Sequence, residues 1–171
     1  MSLKATLTTK LTAVQSSSGA YKGRFTPSLE KIQVFSNGTS ANQADLIYAD
    51  ERTVGDGAND DIDLSGVLTD TFGSTITAAE VVGLLIINQQ ADGTANTTDL
   101  TIGAGSNPFL GFLGGTTPTV GPLKPGASFM LFAGDAAGIG TVTAGTGDIL
   151  RVANSAGAAA TYQIAIVARS V

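Results

Sequence analysis

The chain has no cysteine, no histidine and no tryptophan among its 171 residues. Without cysteine there is no disulfide framework, no thiolate zinc site and no cysteine nucleophile. Without histidine the commonest general base and metal ligand is missing. Serine chemistry loses its usual partner too, and no Gly-x-Ser-x-Gly elbow occurs. Charge is also scarce, at 13% of residues, against roughly 25% in an average soluble domain. A surface that poor in charge is suited to meeting other protein. Nine Lys and Arg are spread thinly against fourteen acids, for a net charge of −5, and the densest basic cluster is only Tyr21-Lys22-Gly23-Arg24. Proteins that hold nucleic acid or anionic lipid concentrate basic residues, so neither nucleic acid nor a membrane is expected as a partner. Long apolar runs are lacking. The longest, Val81-Val82-Gly83-Leu84-Leu85-Ile86-Ile87, is far short of the roughly 20 residues of a membrane helix. Met1-Ser2-Leu3-Lys4 lacks the apolar core of a signal peptide, so synthesis in the cytoplasm is expected.

What the chain has in abundance is Gly, Thr, Ala and Ser, with 22 glycines and 43% hydrophobic residues. Short strand-forming runs alternate with turn clusters, the pattern of a sandwich or barrel. In residues 3–14, Leu3, Ala5, Leu7, Leu11 and Ala13 point one way and Lys4, Thr6, Thr8, Lys10 and Thr12 the other, which predicts one buried and one wet face. Further strands are predicted at 31–36, 44–54, 61–64, 82–89, 99–103, 128–133, 140–143, 148–154 and 161–170. The run 82–89 is apolar on both faces and reads as a central strand. In the last run Tyr162, Ile164, Ile166 and Ala168 share a face. Helix signals are confined to Thr77-Ala78-Ala79-Glu80-Val81, where a capping residue and an acid allow one short turn. The expectation is an all-β, two-sheet antiparallel sandwich, jelly-roll-like, as a single domain over 1–171.

Asp56-Gly57-Ala58-Asn59-Asp60-Asp61-Ile62-Asp63 holds five oxygen-bearing side chains, the chemistry calcium uses. Its spacing does not fit an EF-hand loop, and it reads instead as a solvated acidic turn entering the Ile62/Leu64 strand. The other acids are scattered singly except Asp50-Glu51, so no carboxylate pair for glycoside hydrolysis is marked out. The Gly-rich runs 103–105 and 138–140 lack the strand–loop–helix setting of phosphate cradles. No catalytic residue, cofactor site or metal site is expected, and the chain reads as no enzyme. Asn107-Pro108-Phe109-Leu110-Gly111-Phe112-Leu113-Gly114 is apolar within a loop. If extended, Phe109 and Leu113 face one way and Leu110 and Phe112 the other, one set joining the core and the other packing under a loop or serving as a docking patch. The N-terminal alternation is either the first strand of its own sheet or a strand added to a neighbour's edge. Leu3, Leu7, Leu11, Phe109 and Phe112 are therefore the candidate partner contacts.

Residues 46–171 resemble a group of tailed-bacteriophage virion proteins, the minor structural or capsid decoration proteins. The segments that carry the resemblance are Tyr48-Ala49-Asp50-Glu51-Arg52-Thr53, Asp63-Leu64-Ser65-Gly66-Val67-Leu68-Thr69-Asp70-Thr71-Phe72-Gly73, the 107–114 loop, and Ala144-Gly145-Thr146-Gly147-Asp148-Ile149-Leu150-Arg151-Val152-Ala153-Asn154. Residues 1–40 lie apart as an N-terminal strand or arm, with 41–171 as the family-like core. The resemblance implies a cement protein on the outer capsid surface of the virion, made in the host cytoplasm. Its implied partners are the major capsid protein and further copies of itself, a trimer being favoured. A tail, baseplate or fibre component that binds the host surface is the alternative, and a polysaccharide hydrolase ranks last.

Overall fold

A computed structural model describes residues 2–18 and 22–170. Among these residues the chain forms sixteen strands and no helix. In chain order they are β1 (Ala5–Thr12), β2 (Gln15–Ser16), β3 (Arg24–Phe25), β4 (Ser28–Asn37), β5 (Gln43–Ala44), β6 (Leu46–Val54), β7 (Asn59–Asp63) and β8 (Ser65–Thr69), followed by β9 (Thr75–Thr77), β10 (Glu80–Ile87), β11 (Leu100–Gly103), β12 (Thr119–Leu123), β13 (Ser128–Phe132), β14 (Gly140–Thr141), β15 (Ile149–Asn154) and β16 (Ala160–Arg169).

Two sheets form the body. One has the order β13-β10-β16-β6, with β14 also paired to β10; the other has the order β12-β11-β15-β7. Every pairing within them is antiparallel. Tyr162, Ile164, Ile166 and Ala168 of β16 are buried in a cluster with Ile62, Leu100, Ile102 and Val152 of the second sheet, so the two sheets share one core. The period-two pattern of β16 is what puts that whole row on one side. β10 is apolar on both faces because it is covered on both. A bulge between Val81 and Gly83 lets Val81, Leu84 and Ile86 join the shared core, while Val82 joins a second cluster with Leu7, Phe35, Ala44 and Val167.

That second cluster fixes the base of a two-stranded ribbon. β1 pairs with β4 from Ala5↔Phe35 to Thr12↔Ser28, and the short β2–β3 pair continues the ribbon outward. β4 also takes the two-residue β5 as a parallel neighbour. Gly83 makes the close approach at the base feasible. A Cβ there would stand 2.6 Å from Leu7 Cδ2.

The structure corrects three expectations. Residues 77–81 form no helical turn: Thr77 closes β9 and Glu80 opens β10. The amides between them donate to other strands, Ala78 N to Leu64 O (3.0 Å) and Ala79 N to Arg169 O (2.7 Å), which leaves no i→i+4 bonding for a helix. The N-terminal alternation buries only Leu7 fully, since β1 lies in a ribbon and not under a sheet. The strand also ends earlier than the 3–14 alternation predicts, at Thr12, and Gln15 and Ser16 pair again as β2. The Gly19 and Tyr21 positions of that region lie outside the described residues.

Candidate assembly surface

Paired residues of an antiparallel ribbon share a face. Leu7 and Leu11 of β1 therefore share one with Leu29 and Phe35 of β4, and Ile32 and Val34 stand on the other beside the Lys10–Glu30 ion pair (3.0 Å). At the base the first face is buried: Leu7 is 8% exposed and Phe35 fully enclosed. Farther out the same face is bare. Residues 8–18 and 22–32 are all exposed apart from half-buried Pro27. A strand rises about 3.3 Å per residue, so the uncovered part is roughly 30 Å long. Of the ten large hydrophobic residues left exposed among the described residues, five lie on it, Leu11, Val14, Phe25, Leu29 and Ile32, and Val34 stands next to it. Isolated exposed hydrophobic residues are ordinary, but a cluster marks a surface for another molecule.

The charges are divided along the same line. Lys4, Lys10, Lys22, Arg24 and Lys31 fall within residues 1–40 with only Glu30 against them, giving that segment +4 and residues 41–171 −9. The basic residues are not thinly spread, as whole-chain counting suggested. A count by segment was the signal that would have found this.

The candidate contacts separate accordingly. Leu11 stands on the bare ribbon, 56% exposed. Leu7 is core at the ribbon base, and Leu3 packs half-buried beside it, its amide donating to Asn37 Oδ1 (2.8 Å). Phe109 is 1% exposed and lies in the main core; half-buried Phe112 meets it edge-on at 6.3 Å and stacks on Phe129 at 5.4 Å. Of the 107–114 loop, Leu110 is the large apolar side chain that faces solvent.

On the body, β6 ends its sheet, paired to β16 on one side and free on the other. A polar network stiffens it. Arg52 of β6 donates through Nε and Nη2 to both oxygens of Asp60 on β7 (2.7 and 2.6 Å), and Tyr162 of β16 donates its hydroxyl to Asp60 (2.7 Å). Arg52 also donates to the Tyr48 hydroxyl, which donates on to Asp50 (2.9 and 2.8 Å). Burial alone would raise the Asp60 carboxyl, but the hydrogen bonds from Arg52 and Tyr162 outweigh it and hold the group below its ordinary range. The same contact raises Arg52 further, and burial followed by Asp60 pushes the Tyr162 phenol far above its usual value. The result is a fixed edge bearing Asp50 and Glu51, with the Arg52 charge already answered.

The acidic segment 56–63 uses its oxygens internally. Asp56 accepts from Gly157 N, Asp61 from Arg151, and Asp63 from Ser65 N. The Arg151 hydrogen bonds hold the Asp61 carboxyl low. Among the described residues no three His, Cys, Asp or Glu side chains are grouped to hold a metal ion, and no helix is long and apolar enough to cross a membrane.

Comparison of the chain with protein families, with curated proteins and with solved structures finds no match. The functional reading therefore rests on the ribbon, the β6 edge and their chemistry.

Proposed function

We infer that this is a non-enzymatic structural protein that works by being built into a larger assembly, and that the assembly is a bacteriophage virion, with the chain as a decoration protein on the outer capsid. The observation that carries the reading is the ribbon. A body with its own closed core bears an uncovered, apolar and basic element roughly 30 Å long, whose strand edges are unpaired. Such an element costs solubility unless something covers it. Its mechanism is the burial of apolar surface and the pairing of strand edges across joints between subunits. Many copies on a shell need only modest affinity each when their contacts are linked. The virion setting and the major capsid protein as partner come from the resemblance of residues 46–171.

The body is read as a β-sandwich of jelly-roll type, its two larger sheets facing one another. In support, Ile62, Leu100 and Val152 of one sheet belong to the same buried cluster as Leu84, Ile164 and Ile166 of the other.

The test is a cryo-electron microscopy map of purified particles fitted with this chain. Density repeated over the capsid shell, with the ribbon seated against a neighbour, is the expected result. Density confined to the tail would replace the decoration reading with that of a tail component. Absence from the particle would remove the virion setting.

A further inference from the structure

We propose that the ribbon of one copy adds to the free edge of β6 in a second copy of the same chain, so that the protein joins to itself arm on body. This rests on the reading of the ribbon as an assembly element, and it names the partner.

Charge selects the partner. A +4 arm and a −9 body reside in one chain, so any two copies already present matching surfaces, and opposed potentials both steer encounter and fix register. Within its own chain the outer ribbon does not use that match: residues 8–18 and 22–32 are exposed apart from half-buried Pro27, and only the base, with Ser2 and Leu3 beside Leu46 and Ile47, meets the body.

Edge geometry selects the site. β1 offers eight residues with one side unpaired, and β6 offers nine. The other outer strands of the two body sheets, β7, β12 and β13, have five each, and β12 contains Pro122, which has no amide to give. Apolar surface is found in the same place. Ile47 of β6 is 43% exposed, and the clefts beside it are lined by Phe72 (77% exposed) with Asp70 at one end and by Val67 (71% exposed) with Asp50 at the other. Among the described residues, three of the four large exposed hydrophobic residues of the body thus lie at or beside one acidic strand edge. Leu11 and Leu29 of an incoming ribbon bring the apolar face, and Lys31, on that same face, brings a cation, while Lys10 stands on the other face paired with Glu30. Because arm and edge are different surfaces, the contact is head-to-tail, and a discrete oligomer requires that it close as a ring or a reciprocal pair, since a contact that does not close runs on as a filament.

The experiment uses the purified full chain alone, measured by native mass spectrometry and light scattering at low and high salt, with amide hydrogen exchange along β6. The wild type is expected to form a discrete oligomer, weakened by salt, with amides of residues 47–53 protected. Lys31→Glu, on the face of Leu11 and Leu29, should weaken association on the order of tenfold and expose those amides. Asp50→Lys/Glu51→Lys should do the same from the other side, and mixing the two variants should restore association, which no misfolded pair would do. A wild type that stays monomeric overturns the proposal. If such monomers still bind particles through the ribbon, the structural role survives with a different partner. An oligomer indifferent to both variants, or protection that falls outside β6, overturns it as well. An oligomer that behaves as expected but is absent from particles leaves this contact standing and removes the virion reading instead.

Discussion

Replacing Phe35 with alanine tests whether the ribbon is held to the body at one point. The ring is fully enclosed among Leu7, Ala44, Val82 and Val167, a cluster separate from the main core. Removing a buried Phe side chain costs about 3–5 kcal/mol through lost transfer energy and the cavity left behind. Among the described residues no other apolar cluster ties the ribbon down, so the loss should fall on ribbon docking and not on the body. At about 1.4 kcal/mol per tenfold, opening of the base becomes roughly two to four orders of magnitude more frequent. Amide exchange resolves this residue by residue. Paired amides of β1 and β4 near Leu7 should exchange faster by that factor, while those of β16 and the inner half of β10 change little. Equal loss of protection across ribbon and body would refute the reasoning, because it would make the two clusters one cooperative unit. No loss anywhere would show that Phe35 is not the anchor.

Other outcomes follow from the polar and close-packed sites. Asp60 has its carboxyl held below the ordinary range, so its contribution to stability is present above the unfolded value of about 3.9 and is lost as pH falls through the lower folded value. Asp60→Asn should cost about 1–3 kcal/mol at neutral pH and flatten the acid limb of a pH-dependent melting series. Arg169, 1% exposed, donates to the carbonyls of Ser40, Asp135 and Ala136 and lies 3.6 Å from Glu80. Arg169→Met would strand three carbonyls and should lower stability by about 3 kcal/mol or more, read by urea unfolding. Gly140→Ala would put a methyl group 2.8 Å from Phe109 Cζ and against the Gly111 backbone. Overpacking of that kind costs about 1–3 kcal/mol, and the melting temperature should fall while secondary structure is kept.

Strands with a clear period and a buried row were legible in the sequence. β16 declared its inner face through Tyr162, Ile164, Ile166 and Ala168, and β10 its central place through apolar residues on both sides. The alternation in residues 3–14 was legible as a strand but not as a ribbon, because a period of two reports that faces differ and not whether anything covers them. β12 went unread because Gly121 and Pro122 interrupt its pattern, and β8 and β9 because their runs are short and their outer residues polar. The turn at 77–81 was overridden by pairing partners distant in sequence, Leu64 and Arg169, to which local propensity is blind. At the candidate surface, Leu11 was named from the sequence, but Leu29, Ile32 and the β6 edge were not. Their significance lies in register and sheet order, which arise only once strands far apart in the chain have paired.

The position of β16 has a consequence for how the molecule comes into being. It is the last strand in chain order, yet it sits between β10 and β6, so neither of those can complete its ladder until residues 160–169 have been made. The ribbon, by contrast, is a local hairpin near the start of the chain and can close early. A nascent chain halted just before Ala160 should therefore be cut freely by protease throughout the body. The ribbon can thus be complete before the sheet that holds β6 has closed around β16.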